Sequence, residues 1–237
     1  MQSNSFAVVT GASKGLGKAL AEELSKRKIN TIIIGLPNEG LPKLSRNLMA
    51  QFGTVSVPFE TDLTVKENIV QLASEINNQF PVSILINNAG AGGTRRFTEV
   101  NVDYIDRIIQ LNIMATSVMT HQLLPNLEKQ DQSYILNVSS MAAFTPIGYK
   151  TVYPASKVFV HYFSRGLYQE LIDSNVFVSV VNPGPMETNP EVTRRIQKQG
   201  FLARMSLMTP ERVAQVSIRQ LFKKDSMIML NRANGFN

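Results

Sequence analysis

A doubly wound α/β fold, a parallel sheet with helices on both faces, is the class predicted by this sequence of 237 residues. Three observations predict it. Short apolar runs alternate with amphipathic segments along nearly the whole chain. Several of the runs are almost continuously apolar, as strands buried on both faces of a parallel sheet must be. A turn rich in glycine separates the first run from the first helical segment, where such a fold makes its first crossover.

The elements follow in order. Strands are read at Phe6-Ala7-Val8-Val9, Thr31-Ile32-Ile33-Ile34, Val55-Ser56-Val57, Ser83-Ile84-Leu85-Ile86, Tyr134 to Val138 and Val176 to Val181. Helical patterns lie between them over 16–28, 41–52, 65–79, 101–129 and 154–174. Thr64 and Glu67 have the spacing of a capping box, and Thr209-Pro210-Glu211 sets a cap and then proline at the start of a further helix. No internal repeat, low-complexity tract or linker interrupts the pattern, so one domain spanning 1–237 is expected.

Composition narrows the function classes. With 43% hydrophobic and 18% charged residues, the chain reads as an ordinary globular protein with one core. Met1 to Ser5 is short and polar and leaves no room for a signal peptide, and no segment approaches the roughly 18 apolar residues of a membrane span. A cytoplasmic protein without a membrane partner is therefore expected. The absence of cysteine excludes disulfides and thiol catalysis. His121 and His161 lack ligand spacing, so no metal site is expected. The net charge of +6 is scattered over small groups such as Lys26-Arg27-Lys28, Arg194-Arg195 and Lys223-Lys224. These read as solvated helix ends rather than a nucleic-acid surface, and they favour anionic ligands, a phosphorylated cofactor among them.

Thr10-Gly11-Ala12-Ser13-Lys14-Gly15-Leu16-Gly17 closes the first strand and opens the first helix. Glycines let the backbone approach a ligand closely, and the helix N-terminus offers free N–H groups to a pyrophosphate. Gly11, Ser13, Lys14, Gly15, Leu16 and Gly17 are the candidate dinucleotide contacts. After the second strand the chain runs Ile34-Gly35-Leu36-Pro37-Asn38, with no acid before Glu39. A carboxylate there would bond the ribose 2′-hydroxyl of NAD and repel a 2′-phosphate. Its absence, with Lys14 inside the turn, favours NADP over NAD.

Tyr153 and Lys157 stand four apart near a helix start, so their side chains share a face. A phenol titrates near ~10. A neighbouring ammonium is expected to lower that value toward the range useful for proton exchange. Ser140, ending the preceding strand, is placed to hydrogen-bond a substrate carbonyl. Pro154 biases Tyr153 away from helical geometry, although a first turn tolerates proline.

Together these stretches resemble the short-chain dehydrogenase/reductase family, in its compact soluble branch. The matching segments are Thr10–Gly17, Asp62-Leu63, Asn87-Asn88-Ala89-Gly90, Asn112, Ser139-Ser140, Tyr153-Pro154-Ala155-Ser156-Lys157, and Asn182-Pro183-Gly184 with Thr188. The resemblance implies a Rossmann-type fold and hydride transfer between a nicotinamide and a carbonyl, with Tyr153 giving the oxygen its proton. It implies that Asp62 and Leu63 meet the adenine, and that Asn88, Ala89 and Gly90 line the adenosine side. Lys157 would hold the nicotinamide ribose, Asn112 would complete a proton relay through a water, and Pro183, Gly184, Met186 and Thr188 would lie along the nicotinamide. Asn87 and Ser139 are read as structural, and Thr10 as closing the turn.

The family places a substrate lid at about 186–209, where Ile196, Phe201, Leu202, Met205, Leu207 and Met208 occur. With Met141, Phe144, Ile147 and Tyr149 near the serine, they suggest an apolar carbonyl substrate. The segment from Asn137 to Ser164 is similar to 3-oxoacyl and 17β-hydroxysteroid reductases. The helix after Tyr153 carries Val158, Phe159, Val160, Tyr162, Phe163 and Leu167, apolar on more than one side, which suggests a homodimer or homotetramer. An NADP-preferring ketone or 3-oxoacyl reductase is the expectation. The alternative is a catalytically silent dinucleotide-sensing regulator of the same fold.

Overall fold

The computed structural model describes residues 5–184, 186 and 208–230. Seven strands form one sheet: β1 (Phe6–Thr10), β2 (Asn30–Gly35), β3 (Ser56–Glu60), β4 (Val82–Asn87), β5 (Ser133–Val138), β6 (Val176–Asn182) and β7 (Met227–Met229). Their order is β3-β2-β1-β4-β5-β6-β7, and every pairing is parallel. The order reverses direction between β1 and β4, which leaves a crevice outside the carboxyl ends of those two strands.

Among the described residues the helices are α1 (Gly15–Lys26), α2 (Leu41–Phe52), α3 (Lys66–Gln79), α4 (Val102–Ile109), α5 (Ala115–Glu128), α6 (Val152–Glu170) and α7 (Pro210–Phe222). Burial on both sides explains the continuous apolar strands. Val9, Ile33 and Ile86 face a core shared with Leu20 and Leu24 of α1, Leu48 of α2 and Ile218 of α7. Val8, Ile32 and Leu85 face the opposite core, with Ile69 and Ile76 of α3 and Met119 and Leu123 of α5. Alternate residues of one strand thus feed two cores, as the strand period of two requires.

Several details differ from the sequence expectation. The segment 101–129 is not a uniform helix: a π turn at Gln110–Met114 separates α4 from α5. Such turns gather at functional sites, and this one carries Asn112, which is fully buried. The capping box at Thr64 and Glu67 does not form. α3 starts one residue late for it, with Val65 as N-cap, and Asp62 Oδ1 takes the Thr64 N–H at 2.9 Å that Glu67 would accept in a capping box. β3 runs through Pro58 to Glu60, and its edge position tolerates the missing N–H. β7 is three residues long, too short for its pattern to register. The Thr209 cap is present, its hydroxyl accepting from Arg212 N–H at 3.3 Å. Among the described residues no helix is long and apolar enough to cross a membrane.

Candidate active site

The glycine turn after β1 and the loop after β4 flank the crevice and are fastened to each other. Thr10 Oγ1 accepts the N–H groups of Asn88 (2.9 Å) and Ala89 (3.0 Å), and the Asn88 amide donates to the carbonyls of Thr10 (2.9 Å) and Gly11 (3.2 Å). Asn88, a candidate ligand contact, therefore commits its side-chain NH₂ to holding the turn. Gly11 sits at φ +66°, a conformation that disfavours a side chain. A Cβ at Gly17 would strike the Gly11 carbonyl oxygen and the Asn88 amide. α1 begins with no side-chain cap on its first N–H groups, which leaves the positive end of the helix to an anion. Leu16 belongs to the core, whereas Ser13 packs against Gly35 at the end of β2. This cradle, open only because it lacks side chains, fits the pyrophosphate of a dinucleotide.

On the adenosine side, Lys14 does not stand alone. Its Nζ lies 2.7 Å from Glu39 Oε1, and this bond, foremost among several influences, holds the Glu39 carboxyl below the usual carboxylate range. In the sequence Glu39 is only the first acid after β2, four residues past its end, and its pairing with Lys14 is not visible there. Asp62 and Leu63 follow β3 next to the same edge. The Asp62 carboxylate is occupied by Thr64, and Leu63 is buried in the second core.

The catalytic candidates meet on the other side of the crevice. Ser140 leaves β5 in extended geometry and caps a short 3₁₀ turn, Met141–Phe144, by accepting Ala142 N–H at 3.1 Å. Tyr153 lies in the first turn of α6, where Pro154 has no helical partner to lose. The Lys157 ammonium lies 5.8 Å from the centre of the Tyr153 ring and donates to the Val138 carbonyl at 2.9 Å. Ser139 donates to the Lys157 carbonyl at 2.7 Å, a contact with the backbone of α6 rather than with the crevice. Asn87 donates likewise to Asn137 (2.8 Å) and Thr120 (2.9 Å) inside the sheet.

Electrostatics correct one expectation. The Tyr153 phenol is pushed above its ordinary value rather than below it, because burial outweighs the hydrogen bond from Ser140. Burial also presses Lys157 down to about 8. Removal from water disfavours the charged form of both groups, so in the ligand-free protein each is drawn toward neutrality.

Asn112 holds the two halves of this group together. It accepts Ala91 N–H at 2.8 Å, donates to the Ala91 carbonyl at 2.9 Å, and donates to Ser156 Oγ at 2.8 Å. A Cβ at Gly90 would come within 3.2 Å of the Asn112 carboxamide oxygen and 3.3 Å of the Lys157 ammonium. Gly92, which the sequence reading did not single out, lies flat on Tyr153: a Cβ there would come within 2.6 Å of the ring. The clue was the Gly92-Gly93 pair just past Asn88-Ala89-Gly90. After β6, the Pro183 carbonyl accepts Met141 N–H at 2.9 Å, Gly184 follows, and Met186 pairs with Met208. Thr188 and most of the expected lid lie outside the described residues.

A family model described as short chain dehydrogenase matches residues 5–199. The chain belongs to the short-chain dehydrogenase family. Its relatives include a very-long-chain 3-oxoacyl-CoA reductase of Anas platyrhynchos, 32% identical over 90% of this chain and 67% of that one. Another is an uncharacterized oxidoreductase of Staphylococcus epidermidis, 33% identical over 77% of this chain and 78% of that protein. Among solved structures, the short-chain dehydrogenase from Sphingobium yanoikuyae in complex with NADPH superposes with a TM-score of 0.84. That match is 24% identical and covers 95% of this chain and 87% of that one. L-sorbose reductase from Gluconobacter frateurii, also complexed with NADPH, gives 0.86 at 22% identity, over 96% and 95% of the two chains. These two likenesses establish the fold. This short-chain dehydrogenase is thus an oxidoreductase with a seven-stranded parallel sheet.

Proposed function

We propose that this short-chain dehydrogenase reduces an apolar ketone or 3-oxoacyl thioester, taking NADPH in preference to NADH. The observation that carries the proposal is the convergence of Ser140, Tyr153 and Lys157 across the crevice from the glycine cradle. The nicotinamide supplies the hydride. Ser140 donates a hydrogen bond to the substrate carbonyl oxygen and orients it. Tyr153 then gives that oxygen its phenolic proton. Burial raises the Tyr153 pKa, so it holds its proton at neutral pH, as an ordinary phenol does. Lys157 holds the nicotinamide ribose hydroxyls and keeps a positive charge near the phenol. Asn112 and Ser156 fix the distance between the loop over Tyr153 and α6.

Preference for NADPH is supported by the end of β2, where Gly35 and Leu36 offer no carboxylate to repel a 2′-phosphate, and by Lys14 nearby. The apolar substrate class is supported by Met141, Phe144, Ile147 and Tyr149, all exposed just past Ser140. The Anas platyrhynchos relative adds weight to a 3-oxoacyl chain. A homo-oligomer belongs to the same proposal. Phe159 and Phe163 stack at 5.8 Å on α6 beside Tyr162, which is 71% exposed. A second copy would cover them.

The test is NADPH oxidation against a panel of 3-oxoacyl thioesters, steroids, sugars and aryl ketones, with NADH in parallel. Turnover concentrated on apolar ketones or 3-oxoacyl thioesters with NADPH is expected. Equal or better use of NADH, or a preference for sugars, would overturn the corresponding part of the proposal.

A further inference from the structure

We infer that Glu39 competes with the adenosine 2′-phosphate for Lys14, and so sets how sharply the enzyme separates NADPH from NADH. This inference rests on the dinucleotide-binding proposal above.

Lys14 and Glu39 belong to different crossovers. Lys14 is the N-cap of α1 in the glycine turn, with extended backbone at φ −154°. Glu39 lies in the loop between β2 and α2. Their charged atoms nevertheless meet at 2.7 Å, although the lysine side chain is 80% exposed and could turn to water. The carboxylate is less free, at 30% exposed. It stands between Asn38 (φ +63°) and Gly40 (φ +80°), and Asn38 N–H is held by Glu60 Oε1 at 3.2 Å. Glu39 is thus presented by a constrained turn, and Lys14 reaches over to it. The more distant Arg107 of α4 also favours its ionised form. One carboxylate therefore already holds the ammonium that an incoming anion would seek.

The two dinucleotides meet this arrangement differently. A ribose 2′-hydroxyl is neutral and can donate to the Glu39 carboxylate while Lys14 stays in place. A 2′-phosphate is an anion: it is repelled by Glu39 and gains Lys14 only by drawing it away. The absence of an acid at Gly35 and Leu36 admits the phosphate, and Glu39 moderates how tightly it is held. Removing that carboxylate should strengthen NADPH binding and leave NADH alone or weaken it.

The experiment is equilibrium binding of NADPH, NADH and adenosine 2′,5′-bisphosphate to the wild type, Glu39→Gln, Lys14→Gln and the double variant. Nicotinamide fluorescence and calorimetry give the affinities, and thermal melting checks that each variant is folded. Glu39→Gln is expected to tighten NADPH and the bisphosphate by about twofold to fivefold, the range of an exposed charge pair, and to leave NADH within about 1.5-fold. In the Lys14→Gln background the gain should be smaller than in the wild type, since only the direct repulsion of the 2′-phosphate by Glu39 is then relieved. An unchanged NADPH affinity in Glu39→Gln, equal tightening of both dinucleotides, or an undiminished gain without Lys14 would each overturn the inference. Should the wild type bind neither dinucleotide, the proposed function falls and takes this inference with it. Binding by the wild type that Glu39→Gln does not alter removes the competition alone.

Discussion

Asn112 donates its carboxamide N–H to the Ser156 hydroxyl at 2.8 Å, joining the π turn between α4 and α5 to the first turns of α6. Ser156 in turn donates to the Tyr153 carbonyl at 2.7 Å. The backbone that carries the phenol is therefore reached from Asn112 in two hydrogen bonds. With Ala91 held by the same carboxamide, Asn112 spaces the loop above Tyr153 and the helix beneath it.

Replacing Asn112 by leucine strips both partners from Ala91 and leaves buried polar groups unmet. A loss of stability of about 1–3 kcal/mol is expected, read as a lower denaturant midpoint at unchanged slope. Turnover should fall with it. Wild-type stability in Asn112→Leu would contradict the spacing role.

Gly92→Ala tests the contact above the phenol. The added methyl would press on Cδ2 of the Tyr153 ring and tilt it away from the substrate carbonyl. A fall in kcat of about tenfold to a hundredfold is expected, with dinucleotide affinity kept, because the cradle is untouched. Titration of the substrate-free variant should leave NADPH binding within about twofold of wild type.

The opposite split is expected of Gly17→Ala. Its methyl would meet the Gly11 carbonyl oxygen and the Asn88 amide, neither of which can move without loosening the turn. Overpacking of this kind costs about 1–3 kcal/mol, and the anion site would be deformed as well. Calorimetry should show weakened binding of both NADPH and NADH.

Burial of Lys157 makes a prediction about pH. Its folded-state pKa of about 8 lies below the ordinary 10.5, so between these values the unfolded chain binds more protons than the folded one. Stability of the ligand-free protein from this group therefore rises with pH across that window, and the penalty is fully present below it. The full span corresponds to no more than about 3 kcal/mol. Lys157→Met should flatten the rise between pH 8 and 10 when denaturant midpoints are compared. A variant with the same slope as wild type would contradict a desolvated ammonium.

The fold was legible because its strands are buried on both sides: Ile32-Ile33-Ile34 has no other reason to be so uniformly apolar. The candidate group of Ser140, Tyr153 and Lys157 was legible because Tyr153 and Lys157 are close in sequence and Ser140 follows a strand. What escaped depends on distance in sequence. The Lys14–Glu39 pair spans two crossovers, and the Gly92–Tyr153 contact joins a loop to a helix sixty residues on. The direction of the Tyr153 shift escaped for a related reason. The four-residue spacing from Lys157 was visible in the sequence, but the depth of burial that overrules it was not. The capping box failed because the helix starts one residue later, at Val65, and Asp62 takes the Thr64 N–H that Glu67 would have accepted.

The central claim is that Tyr153 delivers the proton to the reduced oxygen, and Tyr153→Phe tests it most directly. The phenyl ring keeps its packing against Gly92, so dinucleotide affinity should be retained while NADPH oxidation on the best ketone falls by about a hundredfold to ten-thousandfold. Wild-type turnover by a folded Tyr153→Phe enzyme would contradict the account.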